Sequence, residues 1–236
     1  MSKRIIILFG APGAGKGTQS ELLSEKLGLY FFETSKVLEK EFIKSENLPE
    51  SSPERFVEFE GEKFDVLNER ELWKKGALCS PPWVTYLCLR EFKRFAEEGD
   101  SLIIAGSPRT VYEAEREMPV LVDLYGKENI RIAMLEISAE STVFRNSHRK
   151  ICELMRHSIL SNDETEQLTH CPLDGSKLVK RKALDDAETI KVRLKEYEER
   201  TLPLFEYFKE NGFDVKKVNG ENSVAQVHED ILKAIK

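Results

Sequence analysis

The chain has 236 residues, enough to bury one core with insertions or two small cores. Charged residues make up 33% and the formal net charge is −6, so we expect a mildly acidic protein without a general nucleic-acid surface, which needs a basic excess. The apolar runs are too short to span a bilayer, so we expect no membrane contact. The four cysteines are scattered, which does not suggest disulfides. Because the N-terminus also lacks a signal-peptide pattern, we expect a cytoplasmic protein.

Five short apolar runs predict buried strands, and helical patterns separate them. The predicted strands are Ile5–Phe9, Leu29–Phe32, Ser101–Ala105, Ile130–Ile137 and Phe213–Val218. The predicted helices are Thr18–Leu27, Trp83–Glu97, Val111–Leu124, Glu140–Met155, Asp186–Glu210 and Ser223–Ile235. This alternation predicts an α/β protein with a doubly wound, parallel five-stranded sheet, whose ligands bind at the carboxyl ends of the strands.

A glycine-rich segment follows the first predicted strand and leads into the first helix. Residues 10–19 read Gly-Ala-Pro-Gly-Ala-Gly-Lys-Gly-Thr-Gln. Glycines let backbone N–H groups converge on phosphate oxygens, and a helix N-terminus and a lysine add positive charge. A turn that serves packing alone is the alternative, but Gly-x4-Gly-Lys after a buried strand is specific. We therefore predict that a nucleoside polyphosphate binds to Gly13, Ala14, Gly15, Lys16, Gly17 and Thr18.

Gly-x-Pro-Gly-x-Gly-Lys-Gly-Thr-Gln resembles the adenylate kinase (nucleoside monophosphate kinase) family, and later motifs extend the resemblance along nearly the whole chain. It implies a core of the P-loop NTPase type, transfer of the γ-phosphoryl group of ATP to a nucleoside monophosphate, Mg²⁺ with the ATP, and a monomer. The core would comprise residues 1–34, 76–150 and 183–236. Residues 35–75, without a convincing strand, would be the acceptor-binding insertion and 151–182 the lid, although both could be surface excursions without function.

Arginines in three motifs carry the resemblance further. Ser107-Pro108-Arg109-Thr110 is similar to the family's Gly-Phe-Pro-Arg-Thr, so Arg109 would hold the acceptor phosphate. Arg145 and Arg149 are four positions apart, which places both on one helix face. By resemblance Arg145 stacks on the donor adenine and Arg149 contacts the donor phosphates, unless this face is merely solvated.

The motif after the lid resembles the family around Arg193, which would be a second clamp on the transferred group. If the family motif is aligned backwards from Arg193 without a gap, Lys182 takes the basic position of the lid. If a gap is allowed in the alignment, the family's two aspartates are matched and the basic residue is displaced. The resemblance assigns catalytic roles to Lys16, Arg109, Arg149 and Arg193. It assigns acceptor binding to Thr34, Lys40, Cys79, Gly106, Arg109, Glu113, Lys182 and Arg193.

Two departures from the family pattern concern the charges around the phosphates. Ala105 replaces an aspartate of the family pattern, and Gly17 stands where phosphate loops in general have a hydroxyl residue, so Mg²⁺ would depend on phosphate oxygens, water and Thr18. Glu39 occupies an arginine position near the acceptor phosphate, so Lys36 or Lys40 would have to supply the charge.

A third departure concerns the acceptor base, because Glu113 stands where the family has glutamine. A carboxylate only accepts hydrogen bonds, and guanine offers two adjacent donors where adenine offers one amino group. GMP therefore stays open as an acceptor beside AMP, the first choice. Thr110 resembles the adenylate-type branch of the family, whereas the pyrimidine-specific branch usually has asparagine there. Ala105 and Glu39 also leave open a nucleotide-binding module with little transferase activity.

The lid segment contains two cysteines that resemble the zinc-bearing lid of part of the family. Cys171-x2-Asp174 matches one ligand pair, but Met155 stands where Cys152 should have its partner, and methionine is a poor zinc ligand. His157 or His170 could substitute, which gives the candidate set Cys152, His157, Cys171 and Asp174. The alternative is a relic held by packing, with free thiols.

Overall fold

The computed structural model describes residues 3–49, 51–161, 164–180 and 185–236. Its strands are β1 (Ile5–Gly10), β2 (Tyr30–Glu33), β3 (Phe56–Phe59), β4 (Glu62–Asp65), β5 (Leu102–Ala105), β6 (Ile130–Glu136), β7 (Lys150–Cys152), β8 (Ser158–Ile159), β9 (Leu178–Val179) and β10 (Val215–Asn219). Its α-helices are α1 (Lys16–Leu27), α2 (Thr34–Ser45), α3 (Val66–Lys74), α4 (Pro81–Glu98), α5 (Val111–Tyr125), α6 (Ala139–Ser147), α7 (Ala187–Glu196), α8 (Leu204–Glu210) and α9 (Val224–Ala234).

A parallel five-stranded sheet in the order β10-β6-β1-β5-β2 forms the centre of the fold. Its strands are the five predicted from the sequence, with ends that differ by at most two residues. Side chains of β1 alternate between two apolar cores, because Ile5 and Ile7 pack with α4, α5 and α8 while Ile6 and Leu8 pack with α1 and α9. The predicted α/β fold with helices on both faces is therefore confirmed.

The prediction that residues 35–75 contain no strand is wrong. Strands β3 and β4 form an antiparallel hairpin in this segment. Its two-residue turn consists of Glu60 and Gly61, with φ angles of 51° and 82°. Positive φ at both positions matches the twist of paired strands, and an acidic residue before glycine was the signal in the sequence.

The predicted helix Glu140–Met155 is too long. Helix α6 ends at Ser147, and β7 follows after two residues and pairs with β8 and β9. Near this end the Asn146 side chain donates a hydrogen bond to the carbonyl of Thr142 within α6. The predicted helix Asp186–Glu210 is likewise divided, since a π-helical turn at Tyr197–Thr201 separates α7 from α8.

Candidate active site

The phosphate-loop segment wraps around the side chain of Lys16 at the carboxyl end of β1. Gly15 caps α1 in the left-handed region with φ of 92°, which glycine adopts without a steric cost. Lys16 Nζ donates hydrogen bonds to the carbonyl oxygens of Gly10 and Ala11 at 2.7 and 2.9 Å. The ammonium group is therefore held at the start of α1, where the helix dipole also favours an anion.

A cavity of about 750 Å³ opens at this edge of the sheet. Its lining combines the phosphate loop with side chains from the segments after β2, β5 and β6 and from α7, as expected for a parallel α/β sheet. The predicted site residues that line it are Gly13, Ala14, Gly15, Lys16, Gly17, Thr18, Gly106, Arg109, Arg145, Arg149 and Arg193.

The positive charges of the cavity act on one another. Burial and the guanidinium groups of Arg109, Arg193 and Arg149, in that order, lower the pKa of Lys16 from 10.5 to about 7. The three arginines lie near enough to the ammonium group to add to the effect of burial, although they are 40 to 84 residues apart in the chain. The fold thus collects four cationic side chains around a single loop, which is the charge distribution that a polyphosphate chain needs.

Asn146 links the phosphate loop to Arg149. The asparagine is fully buried, and its Oδ1 accepts a hydrogen bond of 2.7 Å from Arg149 Nη2. A Cβ atom on Gly13 would lie 2.7 Å from its Nδ2, so the asparagine packs directly against the loop. The sequence analysis did not identify this residue. Its only signal was a polar side chain located between two arginines in the sequence.

Two further basic side chains at this edge, Arg145 and Arg193, have acidic partners. Arg145 lies 3.6 Å from Glu221 and 3.5 Å from the carbonyl oxygen of Gly13. Arg193 lies 3.7 Å from the buried carboxylate of Asp185. These pairs limit the directions in which the guanidinium groups can point and leave both arginines on the cavity wall.

The acceptor side of the cavity departs from part of the prediction. Lys36 lines the cavity, whereas Lys40 is exposed and lies outside the lining. Cys79 is buried outside the lining, and burial raises the pKa of its thiol to about 12. Thr34 is buried beside Gly106, and its hydroxyl has no hydrogen-bond partner among the described residues. Lys182 lies outside the described residues.

Two further acidic residues occupy positions that the family resemblance did not explain. Glu39 lines the cavity and lies 3.8 Å from Arg156 of the segment between β7 and β8, so the acidic side chain has a cationic partner. Glu113, predicted to contact the acceptor base, lies outside the cavity lining. Its carboxylate lies beneath the loop after β5 and accepts a 2.7 Å hydrogen bond from the Arg109 amide.

The lid segment brings the four predicted metal ligands together. The ligand atoms of Cys152, His157, Cys171 and Asp174 all lie within 4.8 Å of one another. Backbone amides of Met155 and Leu173 donate to the two sulfurs at 3.2 and 3.4 Å. Two thiols, one imidazole and one carboxylate are a donor set that suits tetrahedral Zn²⁺.

Comparison with known proteins agrees with this geometry. A family model described as an AAA domain matches residues 9–79. The adenylate kinase of Mycoplasma capricolum subsp. capricolum is 30% identical over 98% of this chain and 99% of the relative. The chain belongs to the adenylate kinase family. Another adenylate kinase, from Azobacteroides pseudotrichonymphae genomovar. CFP2, is 32% identical over 97% of this chain and 95% of its own length. The shared length includes the phosphate loop, the acceptor side and the lid segment.

Within residues 3–49, 51–161, 164–180 and 185–236, no helix combines the length and the apolar character that crossing a bilayer requires.

Proposed function

We propose that this member of the adenylate kinase family transfers the γ-phosphoryl group of ATP to AMP. The observation that carries the proposal is the convergence of Lys16, Arg109, Arg149 and Arg193 on one cavity, expressed in the lowered pKa of the lysine. The names of the relatives favour AMP over GMP as the acceptor. The buried position of Glu113 agrees with this choice, because its carboxylate is occupied beneath the loop and does not select guanine.

The geometry supports catalysis by position and charge. Phosphoryl transfer needs donor and acceptor held in line and the developing charge neutralised, and the acceptor phosphate is already an anion, so no general base is required. Lys16 and Arg149 would hold the donor phosphates, Arg109 the acceptor phosphate, and Arg193 the group in transfer. Residues 35–75 and 151–182 would close over AMP and ATP, respectively, and exclude the water that would otherwise hydrolyse ATP.

Mg²⁺ would accompany ATP and neutralise its phosphate charge. The cavity wall offers Thr18 as a hydroxyl ligand, whereas Ala105 and Gly17 carry no ligand atom in their side chains. Because Mg²⁺ keeps several waters in protein sites, phosphate oxygens, water and Thr18 form a sufficient set. We also propose that the enzyme acts as a monomer in the cytoplasm; none of its four cysteines, all within the described residues, forms a disulfide, which supports a reducing compartment.

The test measures diphosphate formation with ATP, Mg²⁺ and AMP, GMP, CMP or UMP in separate reactions. We expect ADP from AMP at a rate far above that with the other acceptors. Arg109→Ala should lower kcat/KM for AMP by about 100-fold or more, because a charged ligand of the transferred phosphate is lost. Arg116→Ala, which removes an arginine paired with Glu60 outside the cavity lining, is the matched control. Nucleotide binding without any diphosphate product would contradict the proposal.

We further propose that the cluster of Cys152, His157, Cys171 and Asp174 binds a structural Zn²⁺. Support comes from the four ligand atoms within 4.8 Å and from the backbone N–H groups directed at both sulfurs. The metal would connect the segment that follows β7 with the turn before β9. Such a tie would stabilise a small sheet whose strands are two or three residues long.

Metal analysis of the purified protein tests the zinc proposal. We expect about one zinc per chain in the native protein and a large loss in Cys171→Ser, since thiolates bind zinc more tightly than hydroxyls. His170→Ala removes an exposed histidine next to the cluster and should leave the zinc content unchanged. Native protein without zinc, even after refolding in the presence of the metal, would contradict the proposal.

A further inference from the structure

A cluster of buried polar side chains lies beneath the loop that carries Arg109. It consists of Glu113 and Glu117 on α5, Ser107 on the loop after β5, and Cys88 on α4. Their exposed fractions are 2% for Glu113, 0% for Glu117, 1% for Ser107 and 0% for Cys88. The assigned phosphate-binding roles do not use this cluster, and two carboxylates are costly in such a position unless hydrogen bonds compensate.

The Ser107 hydroxyl lies between the two carboxyl groups. Its Oγ is 2.7 and 2.8 Å from the two oxygens of Glu117 and 3.4 Å from Glu113 Oε2. Cys88 Sγ lies 3.4 Å from Ser107 Oγ. A serine hydroxyl donates one hydrogen bond and accepts two, so it cannot donate to both carboxyl groups at once.

The hydrogen bonds of the cluster are complete only if one of the two carboxyl groups carries a proton in addition to the one on the Ser107 hydroxyl. If Glu117 carries it, Glu117 and Cys88 donate to the serine oxygen, and the serine donates to the ionised Glu113. Glu113 then accepts from Ser107, from the Arg109 amide at 2.7 Å and from the Thr110 hydroxyl at 3.1 Å. Every donor in the cluster has an acceptor, and only one of the two buried acids is charged.

The charges around the cluster favour the same assignment. Burial raises the pKa of Glu113, but the hydrogen bond from the Arg109 amide, the charge of Arg109 and, more weakly, Arg200 of the π-helical turn oppose this rise. Burial raises the pKa of Glu117 well above its usual range, and the neighbouring Glu113 raises it further. Cys88, the titratable group on the α4 side, has a pKa raised by burial and is therefore a neutral thiol. Protonated Glu117 beside ionised Glu113 is the arrangement with the least buried charge.

We propose that Glu117 is a positioning residue for acceptor binding: as a neutral acid it hydrogen-bonds Ser107, which directs Glu113 onto the backbone amide of Arg109. The inference rests on the proposed function only in naming the acceptor as AMP. Ionisation of Glu117 at high pH places a second negative charge beside Glu113 and removes the donor to Ser107. The loop that holds Arg109 then loses its support, and affinity for AMP falls in the native protein but not in Glu117→Gln. Affinity for ATP follows the titration of Lys16 instead and should be the same in both proteins.

Calorimetric titration of AMP and of ATP between about pH 6 and about pH 10 tests this inference without any turnover. In the native protein the Kd for AMP should rise at alkaline pH. Glu117→Gln keeps a neutral donor at every pH, so its Kd for AMP should match the native value near neutrality and stay flat above it. Ser107→Ala should weaken AMP binding about three- to tenfold at neutral pH, as expected for the loss of one buried hydrogen bond.

Glu115→Gln is the matched control, since it neutralises an exposed glutamate on the same helix and should leave the AMP profile unchanged. Infrared difference spectra of native protein minus Glu117→Gln give a direct readout, in which we expect the carbonyl band of a protonated carboxylic acid at neutral pH. Absence of that band, or an alkaline limb shared by the native protein and Glu117→Gln, would overturn the inference. Tight AMP binding without phosphoryl transfer would overturn the proposed function and leave this inference intact.

Discussion

Replacement of Lys16 by methionine should stabilise the unliganded protein although it abolishes phosphoryl transfer. In the native cavity the pKa of Lys16 falls from 10.5 to about 7, a difference of about 3.5 that corresponds to about 5 kcal/mol against the protonated form. Methionine fills a similar volume without charge but gives up the two hydrogen bonds to Gly10 and Ala11. Each charged donor contributes about 1.5 kcal/mol, so we expect a net gain of about 1–2 kcal/mol.

The sign of the effect depends on pH in a defined way. Below about pH 7 the lysine is protonated in both folded and unfolded protein, and the full cost of burying its charge is present. Between about pH 7 and 10.5 the unfolded chain binds more protons than the folded one, so the free energy of unfolding of the native protein rises with pH. Lys16→Met lacks this rise, and its advantage should therefore shrink by about 2–3 kcal/mol between about pH 6 and about pH 9.

Urea unfolding of both proteins, followed by circular dichroism at the two pH values, measures the effect. Lys40→Met is the matched control, because this lysine is exposed and lies outside the cavity lining, and its stability difference should be small and independent of pH. The reasoning is refuted if Lys16→Met is less stable than the native protein at the lower pH, or if the difference between them does not change with pH.

The structure predicts the effects of three further substitutions. Gly10→Ala places a Cβ atom 2.3 Å from the carbonyl oxygen of Leu135, so urea unfolding should show a loss of about 3 kcal/mol or more. Asn146→Ala removes the acceptor of Arg149, and steady-state assays should show a fall in kcat of about tenfold with little change in KM for AMP. Phe208→Ala empties a fully buried site below β1 and should lower the free energy of unfolding by about 3–5 kcal/mol.

Each of these substitutions has a control in the same chain. Gly17→Ala adds a Cβ atom with nothing within 4 Å, so it should preserve stability. Ser147→Ala changes a half-buried residue next to Asn146 and should preserve kcat. Phe144→Ala removes a ring that is 53% exposed, and its effect on unfolding should be well below that of Phe208→Ala. Equal effects in a variant and its control would contradict the corresponding structural argument.

The sequence alone determined the sheet and the phosphate loop. Apolar runs such as Ile5–Phe9 are buried on both faces, so their composition reports a central parallel strand without knowledge of its neighbours. The loop at residues 10–19 was equally visible, because its glycines and Lys16 are required by local backbone geometry and charge. The cationic residues followed from resemblance, since their positions along the chain match the family motifs.

Tertiary structure decided the features that depend on side-chain direction and on contacts between distant segments. Glu113 is adjacent to the acceptor loop in sequence, yet its hydrogen bond to the Arg109 amide directs the carboxylate away from the cavity. Asn146 acquires its role only because α6 packs against Gly13, 133 residues earlier in the chain. The buried pair of Glu113 and Glu117 depends likewise on the serine between them. Motif spacing reports which residues share a loop or a helix face, but hydrogen-bond partners and burial are fixed only when those surfaces pack together.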